Sequence, residues 1–149
     1  MATSTTANNA CDVETTMQDA TGVLRDISGS TNSVAMSWTH MIGDHRVFGD
    51  KWPQRLECGK DTAWTYNVTY DRTTNTGFQI LRDWYFAATP GLRTVHVFIP
   101  NDVIGVDHYY GNFRIQSLNW TLDPSDPKAI AVTAEIVPSG EVCFTITTT

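Results

Sequence analysis

The residues able to do chemistry are few, and their spacing does not organise them. Four histidines, His40, His45, His96 and His108, lie far apart along the chain, and no pair has the helical i, i+4 spacing of a metal motif. Asp44-His45 and Asp107-His108 set a carboxylate beside an imidazole, but neighbouring residues on a strand point to opposite faces, so adjacency makes no acid/base dyad. Cys11, Cys58 and Cys143 are an odd count without a C-x-x-C spacing, which argues against a disulfide framework and a structural zinc site and suits a reducing cytoplasm. Nucleophile elbow, Walker loop and dinucleotide fingerprint are all missing. Asn67-Val68-Thr69 and Asn119-Trp120-Thr121 match the glycosylation pattern, yet both fall inside expected strands of a chain with no secretory signal, so they read as chance. The expectation is a protein with no catalytic residue, no metal and no cofactor, and not an enzyme.

Composition narrows the class further. The 149 residues suit one domain, large enough to bury roughly 70% of its unfolded surface. A hydrophobic content of 41% fits a soluble globular chain, and no apolar run reaches membrane-spanning length, so no membrane partner is expected. Ten basic against sixteen acidic residues give a formal charge of −6, which removes the electrostatic footprint of a phosphate-gripping protein. Acidity is compatible with a wall that nucleic acid slides past, since like charge prevents sticking.

The elements read mainly as strands. Residues 1–11 are small, polar and Thr/Asn-rich, a flexible arm. Asp12 to Gln18 and Val23 to Ile27 flank Asp19-Ala20-Thr21-Gly22, a hairpin turn. Asn32 to His40 alternates Val34, Met36 and Trp38 with polar residues. Ala63 to Tyr70 is the clearest period of two, with Trp64, Tyr66, Val68 and Tyr70 on one face and Thr65, Asn67 and Thr69 on the other. A single helix is expected over about 76–88, carrying Phe78, Leu81, Tyr85 and Ala88 on one face with Trp84 beside them, and stopped by Thr89-Pro90-Gly91. Arg93 to Ile99 is a strand. His108 to Leu122 is a longer one whose apolar phase slips, which calls for a bulge near Gln116-Ser117. Ala129 to Val137 returns antiparallel to it, and residues 141–149 form a last extended segment that pairs either inside the domain or with another subunit. The whole predicts an antiparallel β-sandwich or partly closed barrel over 12–140, with one flanking helix.

One stretch, about 42–61, fits neither periodicity. Val47, Phe48, Trp52 and Leu56 share no helical face, strict alternation fails, and Pro53 with Gly43, Gly49 and Gly59 punctuates it. It reads as a long connection, and an ordered connection bearing aromatics needs a surface to bury them, its own core or another subunit. Phe48-Gly49 followed by Arg55 and then Gly59-Lys60-Asp61 resembles the major tail tube protein of long-tailed, non-contractile bacteriophages. Asp26-Ile27-Ser28-Gly29, Asn32-Ser33-Val34 and the run ending Asp83-Trp84-Tyr85-Phe86 fit the same pattern, so the resemblance extends from about Asp12 to Gly140.

That resemblance implies a virion protein, assembled in the host bacterial cytoplasm, whose hexameric rings stack into a hollow tail tube. It implies that DNA passes the lumen without specific binding, and that the partners are further copies of the chain and the tape-measure, tail terminator and distal tail proteins. The 42–61 connection then contacts the adjacent ring through Asp44, Arg46, Phe48, Lys51, Trp52, Arg55 and Lys60, while Thr65, Asn67 and Thr69 are candidates to face the lumen. The competing reading is a small β-sandwich module that binds carbohydrate or peptide on the aromatic face of Trp64, Tyr66 and Tyr70.

Overall fold

A computed structural model describes residues 12–45, 48, 49, 52, 54–99, 105–125 and 127–146. Among the described residues eight strands and one helix follow in the order β1 (Glu14–Gln18), β2 (Leu24–Asp26), a 3-10 turn (Ser28–Ser30), β3 (Thr31–His45), β4 (Gln54–Thr69), α1 (Gly77–Tyr85), β5 (Arg93–Ile99), β6 (Asp107–Trp120), β7 (Ala131–Pro138) and β8 (Cys143–Ile146). Every strand pair is antiparallel, in the order β2-β1-β5-β6-β7-β4-β3, with β8 also on β6.

β6 joins the two halves. Its first half, Asp107 to Phe113, pairs with β5, and Asp107 to Tyr110 also pairs with β8; its second half, Phe113 to Trp120, pairs with β7. The expected bulge lies between Ile115 and Ser117, where the register shifts. It restores the inward phase, so that Ile115 and Leu118 both pack against the core although their positions differ in parity. The core is the apolar side of both halves closed by α1: Met17, Trp64, Tyr66, Val68, Val95, Phe113, Val132 and Ile136 meet Phe78, Leu81 and Trp84.

Among the described residues every buried side-chain polar atom is paired. Tyr66 hydroxyl donates to Thr15 Oγ1 at 2.7 Å, and Thr15 Oγ1 donates in turn to the His96 carbonyl at 3.1 Å. Burial pushes the Tyr66 phenol well above its usual range. Trp64 Nε1 donates to Thr62 Oγ1, which donates to the Ser37 carbonyl. The buried Arg93 guanidinium donates to the Ile80 carbonyl at 3.1 Å and lies 5.3 Å from the Trp84 ring, tying β5 to α1; desolvation lowers its pKa. In the β1–β2 turn, Asp19 accepts from Thr21 Oγ1, Arg25 Nε and the Thr21 and Val23 amides, which hold its carboxyl far below the usual carboxylate range.

Three expectations are corrected. The helix runs from Gly77 to Tyr85 rather than over 76–88, and its buried face is Gly77, Phe78, Ile80, Leu81 and Trp84, leaving Tyr85 and Ala88 outside. Trp84 sets that phase: it is wholly buried and its Nε1 donates to the Gly91 carbonyl, which turns the chain away before Thr89. Second, 42–61 is mostly not a connection. β3 and β4 pair from Thr31↔Val68 out to His45↔Gln54, with Cys58 as the extra residue where the register steps from Met41↔Gly59 to Ile42↔Glu57. Alternation fails there because β7 accompanies β4 only over Trp64 to Thr69 and the register step at Cys58 resets the phase, so no single period of two runs through the stretch. Third, the histidines are not all apart, as described below. The 1–11 arm, Arg46, Lys51 and residues 147–149 lie outside the described residues; Cys143 to Ile146 pairs with β6 inside the domain.

Candidate assembly surfaces

Two surfaces follow from this register. The first is the β3–β4 ribbon, which extends beyond the buried Thr62 by the eight residues of β4 from Gln54 to Asp61, roughly 26 Å at strand rise. A two-stranded ribbon is marginal alone in water, and this one is apolar in places: Trp38, Met41 and Ile42 are each at least half exposed. At its end, Phe48 is fully exposed and Trp52 is 83% exposed. Asp44 and Arg55 form an exposed ion pair at 3.4 Å across the ribbon, a contact worth little for stability. Lys60 is exposed opposite His40. Asp44, Phe48, Trp52, Arg55 and Lys60 therefore share one projecting element.

The second surface is the outward face of the four-stranded block β3-β4-β7-β6. Alternation places Thr65, Asn67 and Thr69 there, and the ladder sets Thr65 beside Ala35 and Glu135, and Asn67 beside Ser33 and Thr133. Asn119 and Ser117 continue the row on β6. Asn32 links two of these side chains, donating to Asn67 Oδ1 at 3.5 Å and accepting from Thr69 Oγ1 at 3.2 Å. The face is thus made of small hydroxyl, amide and methyl groups. Its charges in the register are Asp61 and Glu135 against Arg114, so acid outnumbers base. Among the described residues both edges of the block are open: β3 has no neighbour beyond it, and β5 leaves β6 at Phe113, so Ser117 to Trp120 pairs on one side only.

The aromatic side of β4 is spent on the core. Trp64 and Tyr66 are fully buried, with Trp64 4.5 Å from Phe113, and Tyr70 packs 4.2 Å from Phe78. No platform for a sugar or a base remains on Trp64 or Tyr66.

Sequence reasoning missed one constellation. His96 and His108 are diagonal cross-strand neighbours, because β5 and β6 pair His96 with Tyr110 and Phe98 with His108. His96 Nδ1 lies 2.7 Å from His108 Nε2 with ring planes within 15°, and the centroid separation of 4.9 Å means that the rings meet edge to edge in nearly one plane rather than face to face. The signal was present in principle: even-numbered positions of both strands share a face once the connecting turn fixes the register. Among the described residues no group of three or more His, Cys, Asp or Glu side chains is placed to hold a metal ion.

No family model matches the chain, and no curated protein matches it. Solved structures do. The fold is similar to a chain in the tail of an empty gene transfer agent particle with C6 symmetry, at TM-score 0.70 and 16% identity over 93% of this chain and 99% of that one. It is similar to the SPP1 tail tube at TM-score 0.69 and 14% identity, over 96% and 81%. A chain in the sheath-tube complex of an extracellular contractile injection system gives TM-score 0.71 and 14% identity, over 97% and 99%. At these identities the likeness is one of fold, and it spans nearly the whole chain.

Proposed function

We propose that this chain is a structural virion protein whose hexameric rings stack into a tail tube that conducts DNA. The observation that carries the reading is the near-complete fold match to tail and tube assemblies, one of them with C6 symmetry. The open block explains how a ring would close. The β3 edge of one subunit meets the free edge of β6, Ser117 to Trp120, of the next, a heterologous contact that closes on itself at six. Strand pairing satisfies both rows of backbone groups and removes the edges.

In that ring the face of Thr65, Asn67 and Thr69 lines the lumen. DNA phosphates meet neutral hydroxyls and amides with an excess of Asp61 and Glu135 over Arg114, so few counterions are released and nothing holds the strand. Asp44, Phe48, Trp52, Arg55 and Lys60, together with Arg46 and Lys51, belong to the contact with the adjacent ring. The ring stack meets tape-measure protein within and terminator and distal tail proteins at its ends. The chain carries out no catalysis and takes no cofactor. A carbohydrate- or peptide-binding module loses support because Trp64 and Tyr66 are buried.

Size decides between the two. Sedimentation velocity and negative-stain microscopy of concentrated protein are expected to give rings and filaments; monodisperse monomer at every concentration, with or without the other tail proteins, rejects the proposal.

A further inference from the structure

The far end of the four-stranded block holds a groove beside the β6 edge, lined in part by Asn119 and Trp120. β7 begins and β6 ends beside Thr69, the end of β4 remote from the ribbon tip. There the β6–β7 connection encloses an open groove of about 740 Å³ whose apolar wall is Trp120, Leu122, Pro124, Ala129 and Ile130. Leu122 is 66% exposed and Trp120 37%. Asp123 stands at the rim, its carboxylate accepting from the Ser125 amide at 2.9 Å and Ser125 Oγ at 2.7 Å, which keeps it ionised.

Knob and groove thus sit at opposite ends of the same strands. Phe48 and Trp52 project from one end, and a groove with an apolar wall opens at the other. We infer that the groove receives the β3–β4 ribbon tip of a second copy of this chain, with Phe48 and Trp52 seated against Trp120, Leu122 and Ile130. This rests on the ring-stacking reading and adds the receiving surface to it. A contact between different patches at opposite ends does not close on itself; repeated along the strand direction it makes an open filament.

Size fits a contact between rings better than one between monomers. Two aromatic side chains bury on the order of 300–500 Å² on the tip, so one tip and groove together fall short of the roughly 1,200–2,000 Å² of a stable interface. A ring that presents all of its tips at once makes the contacts intramolecular after the first.

The test uses full-length protein with a photoreactive benzophenone side chain at position 52, irradiated under assembly conditions, with the crosslinked peptides mapped by mass spectrometry. A parallel variant, Leu122→Asp, changes an exposed side chain and is checked for folding by circular dichroism. The inference expects intersubunit crosslinks into the peptide spanning 118–133. It also expects Leu122→Asp to form rings but to need at least tenfold more protein for filaments. Crosslinks that land only on another ribbon or on a β-sheet face, or Leu122→Asp filaments at the wild-type concentration, overturn the groove while leaving rings and tubes in place. Wild-type protein that stays monomeric overturns the ring-stacking reading and the groove with it.

Discussion

Replacing Trp52 by alanine separates a residue that serves assembly from one that serves the fold. In the isolated subunit Trp52 is 83% exposed, so its removal takes almost nothing from the core. A buried tryptophan covers about 150–250 Å²; the exposed share, at about 25 cal/mol per Å², is worth roughly 3 to 5 kcal/mol when a partner covers it. Immobilising the side chain returns about 1 kcal/mol. Any backbone cost of docking is common to wild type and variant and cancels. The net loss is about 2 to 4 kcal/mol per subunit, or roughly 30- to 1,000-fold in the concentration that supports elongation. Because a ring docks as a unit, its losses multiply. Trp52→Ala is therefore expected to melt within a few degrees of wild type by circular dichroism and to stop at rings in negative stain. A melting temperature lowered by ten degrees or more, or filaments at the wild-type concentration, refutes the reasoning.

Other consequences follow from particular contacts. Tyr66→Phe removes the hydrogen bond to Thr15 Oγ1 but leaves Thr15 its own donation to the His96 carbonyl, so urea unfolding is expected to show a loss of about 0.5 to 1.5 kcal/mol. The depressed Asp19 carboxyl stabilises the fold above the unfolded carboxylate range near pH 4, and that stability is lost as pH falls toward its folded-state pKa. Asp19→Asn is accordingly expected to be less stable than wild type at pH 7 and to lose less on acidification, read as the pH dependence of the melting temperature. Glu135→Lys places a cation among Thr65, Thr133 and Ser117; tubes of this variant are expected to retain added DNA at low salt and release it at high salt, while wild-type tubes bind none at either.

The sequence was readable where one face of a strand is buried. Residues 63–70 alternate because Trp64, Tyr66 and Val68 are pressed into the core while Thr65, Asn67 and Thr69 are not, and the slipped phase on β6 located its bulge for the same reason. The β3–β4 ribbon reads as a connection because an extra residue, Cys58, breaks its register and β7 does not follow β4 beyond Trp64. Its glycines and proline then dominated the pattern. The helix was placed but its face was not, since Phe78, Leu81 and Tyr85 obey helical spacing as well as Ile80, Leu81 and Trp84 do, and only the sheet beneath chooses between them. The His96–His108 pair and the groove at Trp120 and Leu122 depend on which strands become neighbours, information that no local window holds.

The central claim is that the four-stranded blocks of many copies join into one wall with the face of Thr65, Asn67 and Thr69 turned inward. Helical reconstruction of the assembled protein tests it most directly. The account predicts sixfold rings, β3 of each subunit hydrogen-bonded to β6 of the next, and that face on the lumen. Taking 16 residues of β4 at strand rise and a barrel tilt of 35–45°, it also predicts an axial repeat of roughly 40 Å. An assembly in which these threonines face outward, or in which α1 rather than the β-block lines the channel, contradicts it.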